Sequence, residues 1–494
     1  MKIHKRILCV LTALALLLPS FFSSGEISAA PMSDEWESIP SPAPAETAAE
    51  NWYNPILLLG TEKQKRCFVI KTEFGGKYAR LYISFPSFGG VRIENNPPEA
   101  EPEPVEKTAI FEPEAYIKIN YSESGGKTVM RGTDGTSVFF SPHGDSWQFE
   151  ISKNGGAALL LKPEQIYFGI TDGEIVRTRL EMPLSEEEVI YGSGERYNGV
   201  NQNGKRSVMW NCDVCYHGKN VGADGIEELW RGYKNIPLLH SNAGYSLFYN
   251  STCCAEFDIG YTDKSKYSLD FADNRLDVYL WTGAISENIV KYTDLTGKSY
   301  LPPKWAFQYQ AGGSNGFWGN KKSDEYQLEQ AKKLINSYAA METPLKTVYL
   351  EGVNLLGENN AVAELFRQNN VRMLKWNNGD CVSLDEAEKL MPELKGNKLP
   401  LLKNSTNGSY YGQWIDFSDS NGTELLKRFL TRYTDIGIRG GMCDFAELIG
   451  INAVSPVSGL DGTRLHNFYT YGYAKGYNKA YSELTGNDFF CQAC

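Results

Sequence analysis

The chain predicts a multidomain fold of mixed class, an N-terminal β-sandwich followed by an incomplete (β/α)8 TIM barrel. Three observations carry that expectation. Between residue 51 and about residue 277, short alternating runs are broken by Gly, Asn, Asp and Pro clusters, the pattern of many strands joined by turns. After Trp281 the rhythm becomes apolar runs separated by helical stretches, which means parallel strands with right-handed crossovers. A chain of 494 residues also exceeds what one core organises, so at least two domains are expected.

The first segment reads as a processing signal. Lys2, Lys5 and Arg6 precede an almost unbroken apolar run at 7–22, and Ser28-Ala29-Ala30 offers small residues for cleavage before Pro31. That run is short for a spanning helix. Residues 1–30 are therefore expected to be a signal peptide, and the mature protein to be secreted or extracytoplasmic. Residues 31–50, rich in Pro, Ala, Ser and Glu, read as a linker.

The sandwich is expected over 51–290, with strands at 66–71, 80–85, 115–121, 137–140 and 246–249 and an exposed Pro/Glu loop at 97–104. The barrel part is expected over 291–494. An apolar run at 305–309 opens it, followed by a helix at 322–339, a strand at 345–350 and a helix at 361–368. A strand at 371–376, helices near 384–394 and 423–434, and a strand at 438–444 come next. A helix at 463–484 and a strand starting at 489–491 complete the series. That is about five of the eight strands a closed barrel needs.

Composition narrows the partners. Removing 1–30 takes away Lys2, Lys5, Arg6 and Glu26, a net +2, so the formal charge moves from −11 to −13. An acidic chain lacks the basic face that nucleic acid or an anionic membrane requires. Aromatics are abundant (29 Tyr, 23 Phe, 10 Trp), which suits platforms for sugar rings as well as ordinary packing. Ten cysteines become nine once Cys9 leaves, so an exported chain keeps at least one free thiol. Cys212-x-x-Cys215 with His217, and Cys253-Cys254, lack a second C-x-x-C at finger spacing; one or two disulfides or buried thiols are the expectation, and no metal.

The segment Gly440-Gly441-Met442-Cys443-Asp444-Phe445-Ala446-Glu447 carries the chemistry. An aspartate closes a short buried run and a glutamate follows three positions later. A barrel enzyme presents a nucleophilic carboxylate in this way, at the C-terminal tip of a strand. A turn aspartate capping the next helix is the structural alternative.

Several segments in register resemble glycoside hydrolase family 31, the retaining α-glucosidases and α-xylosidases. Tyr191-Gly192-Ser193-Gly194-Glu195-Arg196-Tyr197, Trp210-Asn211-Cys212-Asp213, Tyr233-Lys234-Asn235-Ile236-Pro237 and Asn242-Ala243-Gly244-Tyr245 follow in that family's order. Leu295-Thr296-Gly297 with Leu301-Pro302-Pro303-Lys304-Trp305 resembles its junction into the barrel. Asp444-Phe445-Ala446-Glu447 is similar to its nucleophile motif, and His466-Asn467-Phe468-Tyr469 to the helix start that follows.

The resemblance implies a nucleophile at Asp444, an anchoring role behind it for Glu447, and sugar-subsite walls at Trp376 and Trp414. It implies a substrate contact from Asp213, a hydroxyl contact from Glu351 and a substrate contact from Gln492. Packing or turn roles stay open for Trp376, Trp414 and Asp213, and for His466 a helix-start role without substrate contact is expected. No cofactor is implied.

Three positions depart from the family pattern: Glu351 replaces an aspartate, Met442 a lysine, and Gln492 an arginine, so the sugar is left open. The acid/base aspartate is expected some tens of residues after the fifth strand, past Cys494, which makes the chain an expected N-terminal piece. Two functions stand: a retaining α-glycosidase acting on a carbohydrate, or an inactive truncated homologue or carbohydrate-binding pseudoenzyme.

Overall fold

The computed structural model describes residues 49–95, 116–156, 158–212, 232–313, 323–351, 353, 360–378, 381–394, 398–404 and 413–493. The expected signal peptide, most of the linker, the 97–104 loop, Asp213, Cys215 and His217 lie outside them.

Alternation of apolar and polar residues builds the first region. Val91–Asn95, Ala255–Ile259 and Lys266–Phe271 bury every second side chain, as half-buried antiparallel strands must. Three antiparallel sheets result, of eight, six and five strands. Ile70, Leu81 and Ile83 of the eight-stranded sheet share one core with Val138, Phe140 and Phe149 of the five-stranded sheet. Phe168, Leu180 and Phe257 of the six-stranded sheet complete it. Each such side chain contributes roughly 1.5–3 kcal/mol by leaving water. Asp277–Thr282 is buried along its whole length because its second face is covered as well. There the helix Ile285–Thr296 places Leu295 against Tyr279 and Trp281.

The second region is a five-stranded, wholly parallel sheet in chain order: Gln310–Gly313, Thr347–Leu350, Arg372–Asn378, Ile438–Asp444 and Phe490–Ala493. Its crossovers carry the helices Asp324–Ala340, Ala361–Gln368, Ser420–Asp435 and Gly462–Thr485. Side chains of Ser323, Asp419 and Asp461 cap three of them by accepting backbone N–H bonds in the first turn. Tyr469, Tyr473, Tyr477 and Tyr481 recur every four residues and form one buried stripe on the longest helix. Gly472 and Gly476 let that helix close on Phe417, where added Cβ atoms would lie 2.9 and 2.7 Å from its side chain.

The expected elements are present with small shifts, save two. The strand expected at 115–121 starts only at Asn120, after an isolated bridge at Tyr116. The 305–309 run is a 3-10 turn, Lys304–Phe307, and the first strand begins after it at Gln310. Its N–H groups are spent on local turns, Ala306 donating to the Pro303 carbonyl at 2.9 Å and Gln308 to that of Trp305 at 3.1 Å. Trp305 instead packs against Leu374, on the sheet face away from the long helices.

Candidate active site

The two faces of the parallel sheet have different fates. Val348, Leu350, Met373, Ile438 and Cys443 point into the helix layer and its core. Tyr349, Leu374 and Phe490 point the other way. With Gln310, Met442 and Gln492 they line a cavity of about 220 Å³.

Ile438 and Cys443 share a face although five residues separate them, which a regular strand forbids. The pairing supplies the reason: Met373 faces Ile438, but Lys375 faces Gly441, so one extra residue is accommodated there. This is a bulge, and it reverses the side-chain parity of the strand's end. Without it, Asp444 would point into the helix core. The two glycines make it possible. Gly440 has φ +117°, and a Cβ there would sit 2.0 Å from the Phe490 carbonyl oxygen; at Gly441 it would sit 1.7 Å from that of Lys375.

Asp444, at the strand's C-terminal tip, is partly exposed and held by three donors. Trp376 Nε1 donates to Oδ2 at 2.9 Å. The Phe445 N–H donates to Oδ1 at 3.1 Å, and the Tyr233 hydroxyl reaches the same oxygen at 3.4 Å. Phe445 has φ +61°, a left-handed conformation that costs a non-glycine residue about 1 kcal/mol or more. That turn brings its N–H back onto the carboxylate. Its ring stands edge-on to Trp376 at 5.8 Å. A carboxylate fixed by donors yet open on one side is suited to nucleophilic attack.

The segments that the sequence singled out meet behind this carboxylate. Trp210 stacks on His466 at 3.5 Å between ring centroids. Asn211 donates its N–H to Asn467 Oδ1 at 2.9 Å and its amide to Thr470 Oγ1 at 2.8 Å. Arg196, partly buried, donates to Asn235 Oδ1 at 2.7 Å, and Asn235 Nδ2 donates to Asn211 Oδ1 at 2.7 Å. Burial lowers the Arg196 guanidinium to about 10. The His466 nitrogens face the carbonyls of Ile449 (2.6 Å) and Asn211 (2.7 Å). Burial outweighs the pull of those carbonyls and pushes the imidazole down to about 4. The all-β region is thereby fastened to the helix that follows the Asp444 strand.

Residues 80–258 match the glycosyl hydrolase 31 N-terminal galactose mutarotase-like domain. An α-xylosidase of Lactiplantibacillus pentosus is 22% identical over 339 residues, 64% of this chain and 42% of that relative. These matches support glycoside hydrolase family 31. Among solved family 31 structures, a dextranase of Flavobacterium johnsoniae superposes with a TM-score of 0.72 at 18% identity. It covers 89% of this chain and 54% of its own. A cycloalternan-forming enzyme from Listeria monocytogenes gives 0.70 at 18% identity, over 90% of this chain and 44% of its own. These structural likenesses speak for the fold. The chain spans about four tenths of the length of the curated relatives it matches first.

Against this family background the expected site residues separate. Trp376 and Asp444 are in direct contact, and Gln492 pairs in register with Met442 at the cavity rim. Glu351 directly follows the second strand's last residue and is partly buried. Trp414 is 2% exposed and packed edge-on against Tyr469 in the helix-side core, the packing role that its sequence left open. Its short ribbon, Gln413–Trp414 against Cys381–Val382, tucks the indole under the tyrosine stripe. Glu447 is 5% exposed in the 3-10 turn Ala446–Leu448. His466 is a buried joint, as a helix-start role allowed. The described cysteines 67, 254 and 491 are free thiols. Tyr233 was missed as a site residue: its motif was legible, but its contact spans 211 positions of chain.

Proposed function

We propose that this chain carries the nucleophile of a retaining α-glycosidase acting on α-glucosides or α-xylosides. The observation that carries the reading is the Asp444 carboxylate, aimed off the helix core by the bulge and gripped by Trp376 and the Phe445 N–H. The five parallel strands are read as the first units of a (β/α)8 barrel, whose catalytic groups stand at the strands' C-terminal ends. An Asp444 oxygen attacks the anomeric carbon while the glycosidic bond breaks. The electron pair leaves with the glycosidic oxygen, which takes a proton from a second carboxyl roughly 5–5.5 Å away. The family pattern takes that acid from a later strand end. Water then cleaves the glycosyl ester. The chemistry asks for no metal or cofactor, and the acidic chain offers nothing to nucleic acid or membranes. Among the described residues no helix is long and apolar enough to cross a bilayer. Export by cleavage after residue 30 completes the proposal, checked by N-terminal sequencing of the secreted product.

Met442 and Gln492 favour a second reading, sugar binding without turnover, because neither brings the charge that the family pattern has at these positions. A 5-fluoro-α-glycosyl fluoride separates the two, since fluoride departs without help from a general acid. Labelling of the 494-residue chain at Asp444, seen by peptide mass spectrometry and reduced at least about a thousandfold in Asp444→Asn, supports catalysis. Saturable sugar binding with no labelling selects the pseudoenzyme.

A further inference from the structure

We propose that Tyr233 is a positioning residue for the Asp444 carboxylate, and that the all-β region sets the nucleophile's aim through it. The inference rests on the reading of Asp444 as nucleophile. Of the three donors to Asp444, Trp376 and Phe445 belong to the parallel sheet itself and its adjoining turn. Among the described residues Tyr233 alone arrives from the other region, with its hydroxyl 3.4 Å from Oδ1. Two donors on Oδ1 and one on Oδ2 fix the plane of the carboxylate, so the hydroxyl adds to the restraint on rotation about the Cβ–Cγ bond.

The backbone around Tyr233 is held on both sides. Before it, the Gly232 carbonyl accepts from the Cys212 N–H at 3.1 Å, and Gly232 pairs with Asn211. A Cβ at Gly232 would lie 2.5 Å from the Glu195 carbonyl oxygen, so the neighbouring strand is in close contact. After it, the Lys234 carbonyl accepts from the Glu195 N–H at 2.9 Å, and the Asn235 N–H donates to Asn211 Oδ1 at 3.0 Å. Asn211 is itself bonded to Asn467, Thr470 and His466 on the long helix. A tyrosine mounted this firmly delivers its hydroxyl to one place, and small errors in the alignment of a nucleophile cost rate steeply. A charge-assisted bond at 3.4 Å lies at the weak end of its class.

Tyr233→Phe keeps the ring and removes the hydroxyl. With the 5-fluoro-α-glycosyl fluoride on the 494-residue chain, the maximal labelling rate falls about tenfold, while the concentration for half-maximal rate stays within about twofold. An unchanged maximal rate overturns the proposal, as does a change confined to the half-saturating concentration, which would make Tyr233 a sugar contact. Absence of labelling in the wild type counts against the catalytic reading and not against Tyr233, which a second measurement tests alone. Thermal midpoints are compared for Tyr233→Phe in the wild-type and Asp444→Ala backgrounds. A larger drop in the wild-type background supports the contact. Equal drops in both overturn it, whatever the labelling result.

Discussion

The two faces of the parallel sheet are built from the same five strands, yet they obey opposite rules. On the helix side the sheet is mostly apolar and closed: Val348, Met373, Ile438 and Cys443 meet the tyrosine-striped helix and its neighbours, and Lys375 lays its ammonium over the Tyr433 ring at 4.9 Å. On the other side Tyr349, Met442 and Trp376 are only partly buried, and polar Gln310, Gln492 and Asp444 sit among them. The difference teaches where stability and chemistry are stored. Burial on one face allows the other to remain under-packed, and a single bulge decides which face receives the carboxylate.

The sharpest way to break that division is Gly441→Ala. Its Cβ would lie 1.7 Å from the Lys375 carbonyl oxygen, an overlap no rotamer relieves, so the strands must part. We expect a loss of roughly 5 kcal/mol or more, read as failure to show a cooperative urea transition. Trp414→Ala tests the closed face alone. Emptying its fully buried site costs about 3–5 kcal/mol in urea unfolding, while the labelling rate per folded molecule is unchanged, because the indole touches no part of the cavity.

The smallest expected effect concerns His466, buried on the helix side and lowered to about 4. Its folded-state value lies below the ordinary 6.5, so the unfolded chain takes up the proton first. The stabilising contribution is complete above about pH 6.5, is lost as the pH falls toward 4, and then levels off. A full shift of this size is worth roughly 3 kcal/mol. Urea midpoints at pH 7, 5.5 and 4.5 should converge between wild type and His466→Gln as the pH falls. A constant gap would show that His466 carries no such linkage.

The legible parts of the molecule were those fixed by short-range pattern. Strand alternation, helix caps and the Asp444 tip follow from neighbouring residues, and the elements fell within a few positions of expectation. Trp376 was legible because a strand end forces its side chain to one of two faces. Trp414 was not, since its burial depends on the tyrosine stripe more than fifty residues later packing over it. The bulge at Gly440 and Gly441 was equally hidden. Paired glycines suggest close backbone approach, but which neighbour approaches, and the change of parity that follows, is a property of the sheet. Tyr233 depended on two regions meeting.

The joint between Asn211 and His466 also has a history in time. The two residues are 255 positions apart. At roughly 5–20 residues per second, a growing chain leaves the Trp210 face uncovered for roughly 13–50 seconds before its partner is made. The sheets of the first region can form in that interval, but the surface that will back the Asp444 strand remains open. Assembly of the joint behind Asp444 is therefore a late event in the birth of this protein.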